Sequence, residues 1–234
     1  MKQKKLENFY TLEKIDGRKS KVQETDHGET FDGGSYGSVN EINIALSGKE
    51  KSRNISLAVK NFKQSSWAEN AHWKYRKLKE AGIKVPPTYR IDRKNQRIFM
   101  TDYNKDGKIA LSASTNNKEA DDLSIAEISN LEELKIDLEN ECHKAAANGI
   151  IFPLDSFFFI VPRQGENVKM DFVIGDLDEV YFYSGDKTKL DQESFYESNI
   201  QNAESALDVV MKQFIRATKQ NHRIKLRLNS GERE

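Results

Sequence analysis

The chain of 234 residues has little of several things that mark particular protein classes. A single cysteine, Cys142, leaves no partner for an intramolecular disulfide and too few thiolates for a cysteine-rich zinc site, which fits a reducing cytoplasm. No stretch approaches the roughly 18 consecutive apolar residues of a membrane helix. The basic Met1 to Lys5 runs into Leu6, Glu7 and Asn8 rather than an apolar segment, so no secretory signal and no membrane association are expected. Net charge is also absent, with 37 Lys plus Arg against 37 Asp plus Glu. Without a broad cationic field or a nucleic-acid motif, nucleic acid is not an expected partner, and a cytoplasmic monomer is.

What is present is enough for one core or two small lobes, at 37 % hydrophobic residues. The zero charge hides an asymmetry. From Glu119 to Glu141 nine acidic residues face only Lys135, while from Lys212 onward seven Lys or Arg face Glu232 and Glu234. Two solvated helix faces explain this, as does a basic tail docking on an acidic partner or on the acidic helix itself.

The first half reads as β-rich. Apolar runs at 38–46, 55–62, 88–92 and 97–103 are separated by turn-forming clusters. Between the second and third, Trp67, Ala71, Tyr75, Leu78 and Ala81 recur at helical spacing, with Ser65 or Ser66 as the cap and Gly82 at the expected left-handed stop. Pro86-Pro87 then forces an extended connection. Residues 104–128 read as a polar linker or short irregular helices. Ser129-Asn130-Leu131-Glu132 has the form of a capping box ahead of a helix carrying Leu131, Leu134, Leu138, Cys142 and Ala145 on one face. Residues 157–161 and 168–174 read as a hairpin joined through Arg163 to Asn167, and a last helix spans about 197–220.

Two spacings carry chemistry. Asp32-Gly33-Gly34-Ser35-Tyr36-Gly37-Ser38-Val39 fits G-x-G-x-x-G-x-V with Gly34, Gly37 and Val39 in register and Asp32 in place of the first glycine. Glycines let backbone N–H groups approach phosphate oxygens, though any flexible turn has the same composition. Leu57-Ala58-Val59-Lys60 then puts a lysine in an apolar strand, sharing a face with Ala58. Glu69, nine residues on, is its natural ion-pair partner, with Glu80 as the alternative. Further on, Asp155 stands in a Pro-Leu-Asp-Ser run and Asp176 in Ile174-Gly175-Asp176-Leu177-Asp178, both also readable as turn aspartates.

Over about residues 29–178 these elements resemble a protein-kinase-like fold, of the reduced kind found in small bacterial effector kinases and aminoglycoside-phosphotransferase-type enzymes. The resemblance implies a two-lobed α+β fold: an N-terminal extension (1–28), a five-stranded antiparallel N-lobe (29–103), a reduced, mostly helical C-lobe (104–222) and a basic tail (223–234). It implies ATP with Mg²⁺, or Mn²⁺, as cofactors and a protein hydroxyl on Ser, Thr or Tyr as acceptor. Gly33, Gly34, Ser35, Tyr36, Gly37 and Val39 would cover the phosphates. Ala58, Met100 at the gatekeeper place, Thr101, Asp102 and Tyr103 would face adenine. Lys60, aligned by Glu69, would hold the α- and β-phosphates. Asp155 would accept the substrate proton, and Asp176, alone or with Asp178, would bind the metal.

The match frays at the catalytic loop, where His and Arg are missing and the metal-binding Asn position is aliphatic or aromatic. The A-P-E element is absent, which implies a minimal, constitutively competent C-lobe rather than a regulated one. A small-molecule phosphotransferase, favoured by Ala81-Gly82-Ile83-Lys84-Val85-Pro86, and a non-catalytic pseudokinase remain the alternatives.

Overall fold

The computed structural model describes residues 9–14, 16–33, 37–47, 52–115, 120, 123–186 and 188–230. The chain divides into two compact units, one of residues 1–80 and 85–102, the other of residues 81–84 and 103–234. Among the described residues, no helix is long and apolar enough to cross a membrane. The class is α+β.

The first unit is a curled antiparallel sheet with one helix. Its strands are β1 (Phe9–Glu13), β2 (Lys19–Gly33), β3 (Gly37–Ser47), β4 (Ser52–Phe62), β5 (Tyr89–Asp92) and β6 (Arg97–Thr101). They run in the order β1-β2-β3-β4-β6-β5. The ends of the curl meet at one residue pair, Glu13 opposite Ile91. Six strands therefore stand where five were expected. The additional one, with most of β2, comes from the segment read as an N-terminal extension. Strand pairing is a backbone property, and the polar, bulged β2 shows no apolar alternation to betray it.

Inside the curl, Leu12, Val22, Ile42, Ile44, Leu57, Val59 and Phe99 form a core in which none is more than 5 % exposed. Burial of each such side chain is worth about 1.5–3 kcal/mol. The opposite face carries Tyr89, Ile91 and Ile98 beneath α1 (Ser65–Glu80), where Tyr75 stacks on Tyr89 at 4.1 Å. The Tyr75 hydroxyl, pushed up to about pKa 12 by burial, donates to the Pro86 carbonyl at 2.6 Å and so pins the connection that the two prolines extend. Lys77 and Lys79 lie in the last turn of α1, where cations complement the helix dipole, and Gly82 follows at φ +73°, as the sequence led one to expect.

The second unit contains β7 (Lys108–Leu111), β8 (Ser124–Ile128), α2 (Leu131–Ala147), β9 (Ile150–Ile151), β10 (Phe157–Pro162), β11 (Gln164–Val168), β12 (Asp171–Ile174), β13 (Tyr181–Phe182) and α3 (Lys189–Ser230). The supposed linker thus holds two strands, too short to show a period. The β10–β12 hairpin is present, with Phe157 opposite Ile174 and Phe159 opposite Phe172. Its connection, read as a loop, contains β11, which pairs in parallel with β8 through backbone groups while its side chains stay largely exposed. Phe152, Phe157, Phe159 and Phe172 are wholly buried.

The capping box does not form. Ser129 Oγ donates to the Val168 carbonyl, and the Asn130 amide brackets the backbone N–H and C=O of Met170, so Asn130 serves as N-cap without a side-chain cap bond. The apolar face of α2 is buried as expected at Leu134, Leu138, Cys142 and Ala145. α2 and α3 pack on each other. The described polar links between them involve Tyr196, whose hydroxyl donates to Glu139 at 3.2 Å and whose ring stacks on His143 at 4.0 Å. Lys212 pairs within its own helix, with Asp208.

Candidate active site

In the second unit the structure brings Asp155, Asp176 and Asp178 onto neighbouring segments. Asp155 occupies a 3-10 turn, Leu154–Ser156, entered from Pro153 in an extended conformation and closed by the Ser156 N–H on the Pro153 carbonyl at 3.1 Å. Immediately after it, β10 pairs with β12, which delivers Gly175 and Asp176 beside the turn. Two bonds stitch the segments: the Gly175 N–H donates to the Ser156 carbonyl and the Ser156 hydroxyl donates to the Asp176 carbonyl, both at 2.9 Å. Gly175 is required for this approach, because a Cβ there would lie 2.6 Å from the Phe158 ring. The Asp178 N–H donates to Asp176 Oδ1 at 3.3 Å, an Asx turn that orients the carboxylate.

The chain entering this turn is fixed from α3. Asn199, fully buried, donates its amide N–H to the Ile150 carbonyl at 2.8 Å and accepts the Phe152 N–H at 2.7 Å. Asn202 donates to the Phe152 carbonyl at 2.8 Å. Neither asparagine nor Ser156 stands out in the sequence, since each acts on backbone far along the chain. Ile160, at the place where the resembled family has its metal-binding Asn, is 7 % exposed and aliphatic, so it supplies no ligand.

In the first unit, strand register sets the surroundings of Lys60. Lys60 lies opposite Val39 on β3 and Ile98 on β6, and Ala58 lies opposite Glu41 and Met100. Directly opposed residues share a face, so Val39, Ala58, Lys60 and Met100 stand together on the sheet surface, each partly exposed. The ammonium of Lys60 lies 5.5 Å from the Phe62 ring centroid. Further along the same face, Ser56 Oγ is 3.1 Å from Glu41 and 3.3 Å from Asp102, and its one proton serves one carboxylate at a time. Gly33 ends β2 opposite Ser38, and Gly37 begins β3. Gly34, Ser35 and Tyr36 lie outside the described residues.

Glu69 and Thr101 have partners that the sequence did not announce. Glu69, expected to pair with Lys60, meets the guanidinium of Arg93 in the β5–β6 turn, which also holds Glu13 at 3.3 Å. Both carboxylates hold the Arg93 pKa above its ordinary value. Sequence spacing could not reveal this pair, because Arg93 belongs to another element. The Thr101 N–H donates to the Thr88 carbonyl at 3.1 Å, and the Thr101 hydroxyl accepts the Thr88 N–H at the same distance, so these groups close the β5–β6 end. Tyr103, half-buried, falls in the second unit.

Among the described residues no cluster of three or more His, Cys, Asp or Glu side chains is arranged to hold a metal by itself. Mg²⁺ ordinarily takes one or two carboxylates and completes its shell with water and phosphate oxygens. Asp176 and Asp178, half-buried hard-oxygen donors on one Asx turn, fit that demand as a pair. Cys142 offers no nucleophile, since burial, with the nearby carboxylates, pushes its thiol up to about 12. Compared with protein-family models and with curated proteins, the chain matches none.

Proposed function

We propose that the chain is an ATP-dependent phosphotransferase with a two-lobed, protein-kinase-like organisation, acting on a Ser, Thr or Tyr hydroxyl of a protein. The observation that carries the reading is the stitched pair of aspartates: a turn aspartate, Asp155, fixed beside a strand-end aspartate, Asp176, by two backbone-directed hydrogen bonds. Phosphoryl transfer asks little covalent chemistry of a protein. It needs an oriented hydroxyl, a neutralised triphosphate and a fixed metal.

In this reading Asp155 accepts the acceptor proton, and Asp176 with Asp178 holds Mg²⁺ or Mn²⁺, which neutralises phosphate charge. Lys60, which shares a sheet face with Val39, Ala58 and Met100, holds the α- and β-phosphates. Glu69 is not given the aligning role, because Arg93 engages it. That engagement also favours the second reading, a pseudokinase that binds nucleotide without transfer.

The test is a thermal shift with ATP, with and without Mg²⁺, followed by labelled-ATP incubation of the protein alone and with a lysate. A Mg²⁺-dependent shift and labelled protein are expected, and Lys60→Ala or Asp176→Ala abolishes labelling. Unchanged labelling by both variants sinks the assignment. A shift without labelling selects the pseudokinase, and label on small molecules selects a small-molecule kinase.

A further inference from the structure

We infer that Ser156 is a positioning residue that sets where the Asp176 carboxylate stands relative to Asp155, and so tunes the metal-nucleotide affinity of the site. This deepens the reading above and rests on it. A serine next to an aspartate in a turn ordinarily bonds its own neighbourhood and faces water. Ser156 does neither. It has no exposed surface, and its hydroxyl reaches a carbonyl 20 residues away.

A hydroxyl has one proton to give, and donating it to the Asp176 carbonyl fixes the peptide plane that follows the carboxylate-bearing Cα. The same residue accepts the Gly175 N–H, so the peptide on each side of Gly175-Asp176 is tied to the turn that carries Asp155. From the other side, the Phe158 ring fills the space that a Gly175 side chain would need. The Asp178 N–H then orients one Asp176 oxygen. Ser156 touches none of the carboxylates itself. It acts through the Asp176 backbone, as outer-shell partners of metal ligands do, and loss of such partners typically weakens metal binding about 10–100-fold.

The experiment measures Mn²⁺ binding by electron paramagnetic resonance, in the presence of ATP, for the full chain and for Ser156→Ala, Ser156→Cys and Gly175→Ala. Amide exchange at Gly175 and Asp178 is followed without metal. The expected result is a roughly 10–100-fold weaker Mn²⁺ affinity for Ser156→Ala, faster exchange at Gly175 and Asp178, and metal-free ATP affinity unchanged. Ser156→Cys, a weaker donor of similar size, falls between. Wild-type affinity in Ser156→Ala overturns the inference while leaving the function standing. No Mn²⁺ binding by the wild-type chain overturns both, and the exchange data still report whether the hydrogen bonds exist. Should Ser156→Ala fail to fold, Ser156→Cys decides by the same readout.

Discussion

Lys60 and Asp176 are held by different kinds of structure. The direction of Lys60 follows from register: Val39, Ile98, Ala58 and Met100 are placed around it by continuous backbone ladders on both sides of β4. Asp176 depends instead on a few buried polar side chains that each bridge distant segments, Ser156 to Asp176 directly and Asn199 to the chain that enters the Asp155 turn. A laddered group tolerates substitution of its neighbours. A stapled group is vulnerable to loss of one atom, because the partner left behind is buried and unpaired.

The sharpest way to break that contrast is Asn199→Ala. It leaves the Phe152 N–H and the Ile150 carbonyl without their partner in a fully buried position, and each orphaned group costs about 1–3 kcal/mol. A loss of about 3 kcal/mol in urea denaturation is expected, with faster amide exchange at Phe152. A loss below ~1 kcal/mol means that water or a neighbour replaces the amide, and the staple then has no special weight.

A smaller effect tests the first unit. His72 on α1 is buried, and Nε2 has no hydrogen-bond partner. Burial first, then the Arg93 charge, lowers its pKa from 6.5, against the opposing pull of Glu69 and Glu13, while Arg76 lowers it slightly further. Below pH 6.5 the unfolded histidine takes up a proton that the folded one refuses, so stability falls on acidification, by no more than ~1.4 kcal/mol per pH unit. The urea midpoint between pH 7.5 and 5.5 is expected to drop more in wild type than in His72→Phe. Equal drops assign the acid sensitivity elsewhere.

The same contrast explains what the sequence disclosed. β3, β4 and α1 announce themselves through alternation and helical spacing because one face of each is buried, and those runs agree with the observed elements to within a residue or two at most ends. β1, β2 and β11 do not: Leu12 and Val22 are the residues of β1 and β2 in the core cluster, and β11 buries only Val168, so none shows a run of alternating apolar residues. Lys60, Asp155 and Asp176 are residue types whose spacings resemble those of a kinase-like site, and the proposed function rests on that reading. Ser156, Asn199 and Arg93 are ordinary residues whose importance lies in partners 20, 47 to 49 and 80 positions away, and no local pattern encodes that.

Gly82 carries the smallest expected effect, and it separates backbone from side chain. It ends α1 at φ +73°, and a Cβ there would meet nothing within 4 Å. Gly82→Ala therefore costs only the left-handed conformation of an L-residue, about 1 kcal/mol. Just beyond it, the Lys84 N–H donates to Glu141 at 2.8 Å and the Lys84 carbonyl accepts the Ile174 N–H at 2.8 Å. If those bonds fix the segment independently of the helix end, the variant loosens the last turn of α1 while the exchange of the Lys84 and Ile174 amides stays at wild-type rates. Faster exchange at Ile174 in Gly82→Ala would instead show that β12, and with it the strand end that delivers Asp176, leans on the backbone conformation at Gly82 as well as on its staples.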